Sequence, residues 1–142
     1  MRVLLVEDDA ALRDTLQRSL ETEGYESEVA ASANEAITRA REQDFDLIVT
    51  DYNLGHGKNG LFLLSQLKKS GCRIPTILMT GYRGERLEDA ARKLGVSAFL
   101  EKPFSMDALL NECWRALQER PTTKNRKGRM RKCENDSSWR CP

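Results

Sequence analysis

Five times along this chain a short strand-like segment precedes a longer stretch with helical spacing, and that alternation constrains the fold more than any other feature. The first run, Val3-Leu4-Leu5-Val6, is continuous rather than alternating. A strand wetted on one face shows a polar residue at every second position; a continuous run suits a parallel strand covered on both faces. Strands are predicted over 2–7, 26–31, 45–51, 74–80 and 96–101. Between them, Leu12, Leu16 and Leu20 line one stripe of a first helix, which Gly24 ends. Ser32 followed by Glu35 has capping-box form and opens a second. Residues 61–69 read as a third helix, with Leu61, Leu64 and Lys68 in register and Gly71 closing it, and 86–94 as a fourth, closed by Gly95. Ser105 is an N-cap for a fifth, running from Met106 to about residue 119 and stopped by Pro121. Residues 53–59, with Gly55 and Gly57, form a loop.

Alternating strands and helices argue for an α/β domain with a parallel sheet covered on both faces. Right-handed crossovers leave few topologies. The common order for five such units is 2-1-3-4-5, a doubly wound, flavodoxin-like sheet. It sets strands 1 and 3 side by side, and ligands bind at their carboxyl ends, where the winding reverses.

At 142 residues the chain suits one domain with a proper core. No apolar run approaches the roughly 20 residues needed to span a bilayer. The run at 3–6 is too short for a signal peptide and meets Glu7, Asp8 and Asp9 at once, so a cytoplasmic location without membrane contact is expected. The four cysteines, Cys72, Cys113, Cys133 and Cys141, form no C-x-x-C pair and have only His56 to help them, which argues for free thiols rather than zinc. The net charge of +1 hides an asymmetry: residues 120–142 carry eight Lys/Arg against two acids, so the tail is +6 and the body −5. A boundary therefore falls near 119. The tail is polar and poor in aliphatics, and is expected to be disordered. Charge alone could bring it to nucleic acid, but no helix-turn-helix fits in its 23 residues. A linker remnant or chain end is the favoured reading of the tail.

The chemistry gathers at strand ends. The first strand ends in Glu7-Asp8-Asp9 and the third in Asp51. In neighbouring strands these carboxylates crowd one edge, where like charges disfavour each other. Folding alone gives no reason to collect them. A divalent cation would resolve the conflict, and Mg²⁺ prefers carboxylates, carbonyls and water. Thr80 ends the fourth strand and Lys102 follows the fifth, both toward the same edge. Acids, a hydroxyl and a lysine make a phosphoryl-transfer set, in which a carboxylate can be the nucleophile.

At Val6-Glu7-Asp8-Asp9, Ile48-Val49-Thr50-Asp51, Met79-Thr80-Gly81 and Glu101-Lys102-Pro103-Phe104 the chain resembles the response-regulator receiver domain of two-component signalling, over roughly residues 1–119. Each motif is weak alone; four in this order, each after a predicted strand, are highly specific. The resemblance implies Asp51 as phosphoacceptor and Asp8 as a direct metal ligand. It implies Glu7 as a ligand mainly through water, and the Asn53 carbonyl as the protein's last contribution to Mg²⁺. It gives Thr80 a hydroxyl contact to the phosphoryl group, Lys102 a pairing with Asp51 and then phosphate, and the Lys102–Pro103 bond a cis geometry. Phe99 falls at the aromatic switch position; an ordinary core aromatic is the competing reading.

The implied partners are a histidine kinase or histidine phosphotransfer protein, and a downstream target or linked output domain. Helix four is a recurrent dimer surface in the family, so a homodimer is also among them. Such a receiver catalyses only its own phosphorylation and dephosphorylation and is not a conventional enzyme. Two alternatives stand beside this: an interaction module that keeps the fold without phosphorylation, and a regulator touching nucleic acid through its tail. Asp9 reads better as a helix cap than as a ligand. His56 reads as a solvated loop residue, Tyr82 as a shield for the acyl phosphate or an idle aromatic, and Trp114 as partly core or partner-facing. The loop Leu54-Gly55-His56-Gly57-Lys58-Asn59-Gly60 departs from the family: it lacks the usual proline and is one residue longer before Gly60.

Overall fold

The computed structural model describes residues 1–55, 57–81 and 84–119, with the backbone of 131–132 and 139–140. His56, Tyr82, Pro121, Cys133 and Cys141, and the expectations attached to them, lie outside the described residues. Five strands and five helices alternate: β1 (Arg2–Val6), α1 (Ala10–Thr22), β2 (Glu26–Ala30), α2 (Ala33–Glu42), β3 (Leu47–Asp51), α3 (Gly60–Lys69), β4 (Thr76–Thr80), α4 (Glu85–Lys93), β5 (Ala98–Glu101) and α5 (Met106–Gln118). The sheet is parallel, in the order β2-β1-β3-β4-β5. Within the tail, Arg131–Lys132 (β6) and Trp139–Arg140 (β7) form a short antiparallel pair.

The continuous runs are buried on both faces, as their pattern requires. In β1, Leu4 and Val6 join one apolar cluster with α2 and α3, while Val3 and Leu5 join the other with α1 and α5. In β3, Ile48 faces the first cluster and Leu47 and Val49 the second. Each such fully buried side chain contributes about 1.5–3 kcal/mol relative to exposure. A third, smaller cluster of Leu78, Leu87 and Ala91 holds α4, with Tyr52, Leu61, Val96 and Phe99 packed on it.

Side-chain caps set the helix starts. Asp9 accepts from the Leu12 N–H at 3.1 Å, Asn59 from Phe62 at 3.0 Å and Ser105 from Ala108 at 3.1 Å. Ser32 accepts from Glu35 at 3.1 Å, but the returning Glu35 carboxylate takes the N–H of Ala31 at 3.0 Å, one residue before the cap.

Three expectations need correcting. Strands β3, β4 and β5 start two residues later than predicted, because apolar residues such as Phe45 and Ile74 fill the core without joining the ladder. Helix α3 starts at Gly60 and buries Gly60, Leu63, Leu64 and Leu67, so its inward stripe is not Leu61, Leu64 and Lys68; Lys68 is exposed. Trp114 is 61% exposed and not core: α5 buries Leu109, Cys113, Ala116 and Leu117, and the residue after Cys113 turns about 100° away from that stripe. Cys113 is a buried free thiol, and burial pushes it up to about 12.

Candidate functional site

The register of the sheet brings the strand ends together. Val6 pairs with Thr50 across β1 and β3, so Glu7 and Asp51 leave adjacent strands at one edge. Asp51 pairs with Met79 and Thr80 with Glu101, which brings Thr80 and Lys102 to the same edge. The Lys102 N–H donates to the Thr80 carbonyl at 2.8 Å, tying the two strand ends directly.

Glu7, Asp8 and Asp51 each offer a carboxylate oxygen, and the three lie within 4.8 Å of one another. Glu7 and Asp51 are buried, and Asp8 is exposed. The Lys102 ammonium reaches between the buried two, donating to Asp51 Oδ2 at 3.0 Å and Glu7 Oε2 at 3.3 Å. Burial pulls the lysine down, but its bonds and attraction to Asp51 and Glu7 outweigh that and hold it above its ordinary value. Burial, then the negative charge of Asp51, raises the Glu7 carboxyl to about 7 despite the Asp9 N–H and Lys102 opposing it. One ammonium thus does not balance three carboxylates. Hard oxygen donors with excess negative charge and one donor open to solvent fit a divalent cation that keeps several waters.

The other expected residues fall as follows. Thr80 is buried at the end of β4. Asn53 is exposed in the loop after β3. Phe99 is half-buried on β5 and packs with the α4 cluster rather than in the two main cores. Asp9 caps α1 and sends its N–H to Glu7 Oε1 at 3.2 Å, so it shapes the site from beside it. The Lys102–Pro103 bond is cis.

Three further residues, two of them in the atypical loop, make contacts that the sequence does not signal. Gly60 packs α3 against β3: a Cβ there would lie 2.7 Å from the Asp51 carbonyl oxygen and 2.8 Å from a Leu78 methyl. Its sequence signal is a glycine at the junction of loop and helix. Lys58 fastens the atypical loop, donating to Asn34 Oδ1 at 3.1 Å and sitting 5.1 Å above the Phe62 ring. Arg13 donates from Nη1 to the Glu7 carbonyl at 2.9 Å. Neither side-chain contact has a spacing signature.

Fold and site together define a class: a doubly wound α/β domain with its acids gathered at the switch point. The chain belongs to the response regulator receiver domain family, whose sequence pattern matches residues 3–113. It is 35% identical over 119 residues to the C4-dicarboxylate transport transcriptional regulatory protein DctD of Pseudomonas aeruginosa, covering 84% of this chain and 26% of that protein. It is 33% identical over 122 residues to the response regulator MprA of Mycolicibacterium vanbaalenii, covering 86% of this chain and 52% of that one. The chain therefore spans about half or less of these curated relatives. Among solved structures, the non-phosphorylated HemR receiver domain of Leptospira biflexa superposes with a TM-score of 0.79 at 32% identity, over 87% of this chain and 98% of that one. A CheY-like receiver domain protein of Methanospirillum hungatei superposes with a TM-score of 0.75 at 31% identity, over 84% and 94%. Among the described residues no helix is long and apolar enough to cross a membrane.

Proposed function

We propose that this receiver domain accepts a phosphoryl group on Asp51 from a phosphohistidine of a histidine kinase or phosphotransfer protein, with Mg²⁺ held by Asp8, Asp51, the Asn53 carbonyl and, through water, Glu7. The observation that carries this is the pairing of Lys102 with the buried Asp51 and Glu7, with Asp8 completing a three-carboxylate cluster. When bound, Mg²⁺ supplies positive charge to the phosphoryl oxygens and lowers the repulsion among the acids.

An Asp51 carboxylate oxygen forms the new bond to phosphorus as the P–N bond of the donor breaks; the electron pair leaves with the imidazole, which takes up a proton. Lys102 begins beside that oxygen and follows the charge onto the phosphoryl group. The Thr80 hydroxyl donates to a phosphoryl oxygen. Because Phe99 lies against the cluster that holds α4, movement of Thr80 offers a route to the α4–β5–α5 face. Phenylalanine can follow such a rotation, without a hydroxyl to hydrogen-bond at its end. Water later attacks phosphorus, the P–O bond to Asp51 breaks, and phosphate leaves. No external metabolite is turned over. The signal passes to a downstream protein or linked output domain in the cytoplasm.

The test is intact mass after incubation with acetyl phosphate, with and without Mg²⁺. Wild type is expected to gain one phosphoryl group only with Mg²⁺, and Asp51→Asn none. An adduct that persists in Asp51→Asn would remove the nucleophile assignment. Absence of any adduct in wild type, both with acetyl phosphate and with a panel of phosphorylated histidine kinases, would favour an interaction module that has kept only the fold.

A further inference from the structure

The turn between β1 and α1 carries two of the three clustered carboxylates, and the two are held very differently. Glu7 is fixed from all sides: its N–H donates to the Ala30 carbonyl at 3.0 Å, and its carboxylate accepts from Asp9 and Lys102. Asp8 is exposed, and among the described residues its carboxylate has no hydrogen-bond partner. The aim of Asp8 is therefore set by the backbone on either side of it. On the far side, Asp9 is locked as the α1 cap, its side chain on Leu12 and its carbonyl accepting the Arg13 N–H at 2.9 Å. On the near side, Glu7 follows the last residue of β1, and among the described residues no turn or loop backbone N–H donates to its carbonyl. The half-buried Arg13 guanidinium takes it at 2.9 Å. Arg13 thus reaches back over the turn twice, through its N–H to the Asp9 carbonyl and its side chain to the Glu7 carbonyl.

We infer that Arg13 is a positioning residue for the metal site: by holding the Glu7 carbonyl it fixes the turn that aims the Asp8 carboxylate. This rests on the reading of the site given above. Its consequence has a sign opposite to simple electrostatics. A positive charge near a cation site weakens cation binding, so removing Arg13 would by Coulomb interaction alone tighten Mg²⁺. Removing a clamp behind a metal ligand weakens it, typically by 10-fold or more.

The experiment is calorimetric titration of the full chain with Mg²⁺, using wild type, Arg13→Ala, Arg13→Gln and, as a control that removes an exposed charge from the same helix, Arg18→Ala. Circular dichroism establishes that each variant is folded. Arg13→Ala and Arg13→Gln are expected to raise the Mg²⁺ Kd roughly 10-fold, while Arg18→Ala leaves it unchanged or slightly lower. With acetyl phosphate, the Arg13 variants should recover most of the wild-type phosphorylation rate at saturating Mg²⁺, because Asp51 and Lys102 are untouched. A Kd equal to or tighter than wild type in the folded Arg13 variants overturns the positioning role and leaves the site reading standing. Should Arg13→Ala fail to fold, Arg13→Gln, which keeps part of the stem, decides by the same criterion. Wild type that takes up no Mg²⁺ overturns the site reading and this inference together.

Discussion

At Glu7, burial and the neighbouring Asp51 charge both oppose ionisation, and the carboxyl is raised from 4.5 to about 7. Below pH 4.5 the folded and unfolded states both carry the proton and the shift costs nothing. Between pH 4.5 and about 7 the unfolded chain releases it while the folded one keeps it, so stability falls as pH rises; above 7 the full cost is present. Metal-free Glu7→Gln should therefore gain stability over wild type by about 1–3 kcal/mol more at pH 8 than at pH 4.5. Urea unfolding at the two pH values checks this, and an equal difference at both would contradict it. Gly60 makes a second prediction at this scale. Alanine favours a helix by about 1 kcal/mol over glycine, but its methyl would meet the Asp51 carbonyl and Leu78 well inside contact distance. Gly60→Ala should lose about 1–3 kcal/mol by overpacking. It should also slow the acyl-phosphate reaction, read by intact mass over time.

The helices are anchored unequally. α5 buries Leu109, Cys113, Ala116 and Leu117 and starts on the Ser105 cap, whereas α4 buries only Leu87 and Ala91 and starts at Gly84 without a side-chain cap. Few apolar contacts and an uncapped end mark a low-stability element. Native-state hydrogen exchange should find the amides of α4 opening before those of α5. Equal protection would show that the small cluster around Leu78 is a stronger anchor than its size suggests. The same inequality bears on the proposed signalling route, since α4 and Phe99 share that cluster and a weakly held helix takes little energy to move.

Across the whole molecule, β1 and β3 are buried on both faces and join two cores that the helices alone would keep apart. Leu5 lies fully buried in the core under α1 and α5, yet its backbone sits in the strand that also supports the opposite core. Leu5→Ala should cost about 2–5 kcal/mol and unfold the domain as one unit. This is read as a lower urea midpoint at unchanged slope. A second transition, with one layer melting first, would show that the sheet does not couple the two faces.

The sequence alone determined the strand-and-helix order, the caps at Asp9, Ser32 and Ser105, and the four strand ends that carry Glu7, Asp8, Asp51, Thr80 and Lys102. Those features depend on local periodicity, on hydrogen bonds spanning three residues, and on the family's motifs. Tertiary structure decided what depends on atoms far apart in the chain. Strand starts moved inward because apolarity reports burial and not ladder hydrogen bonds. The α3 stripe shifted and Trp114 turned outward because a rotation of about 100° per residue separates neighbours that composition treats alike. Gly60, Lys58 and Arg13 took roles through one close approach, one loop-to-helix bond and one side-chain bond to a backbone carbonyl. None of these leaves a periodic trace, because each depends on where the sheet sets its elements down.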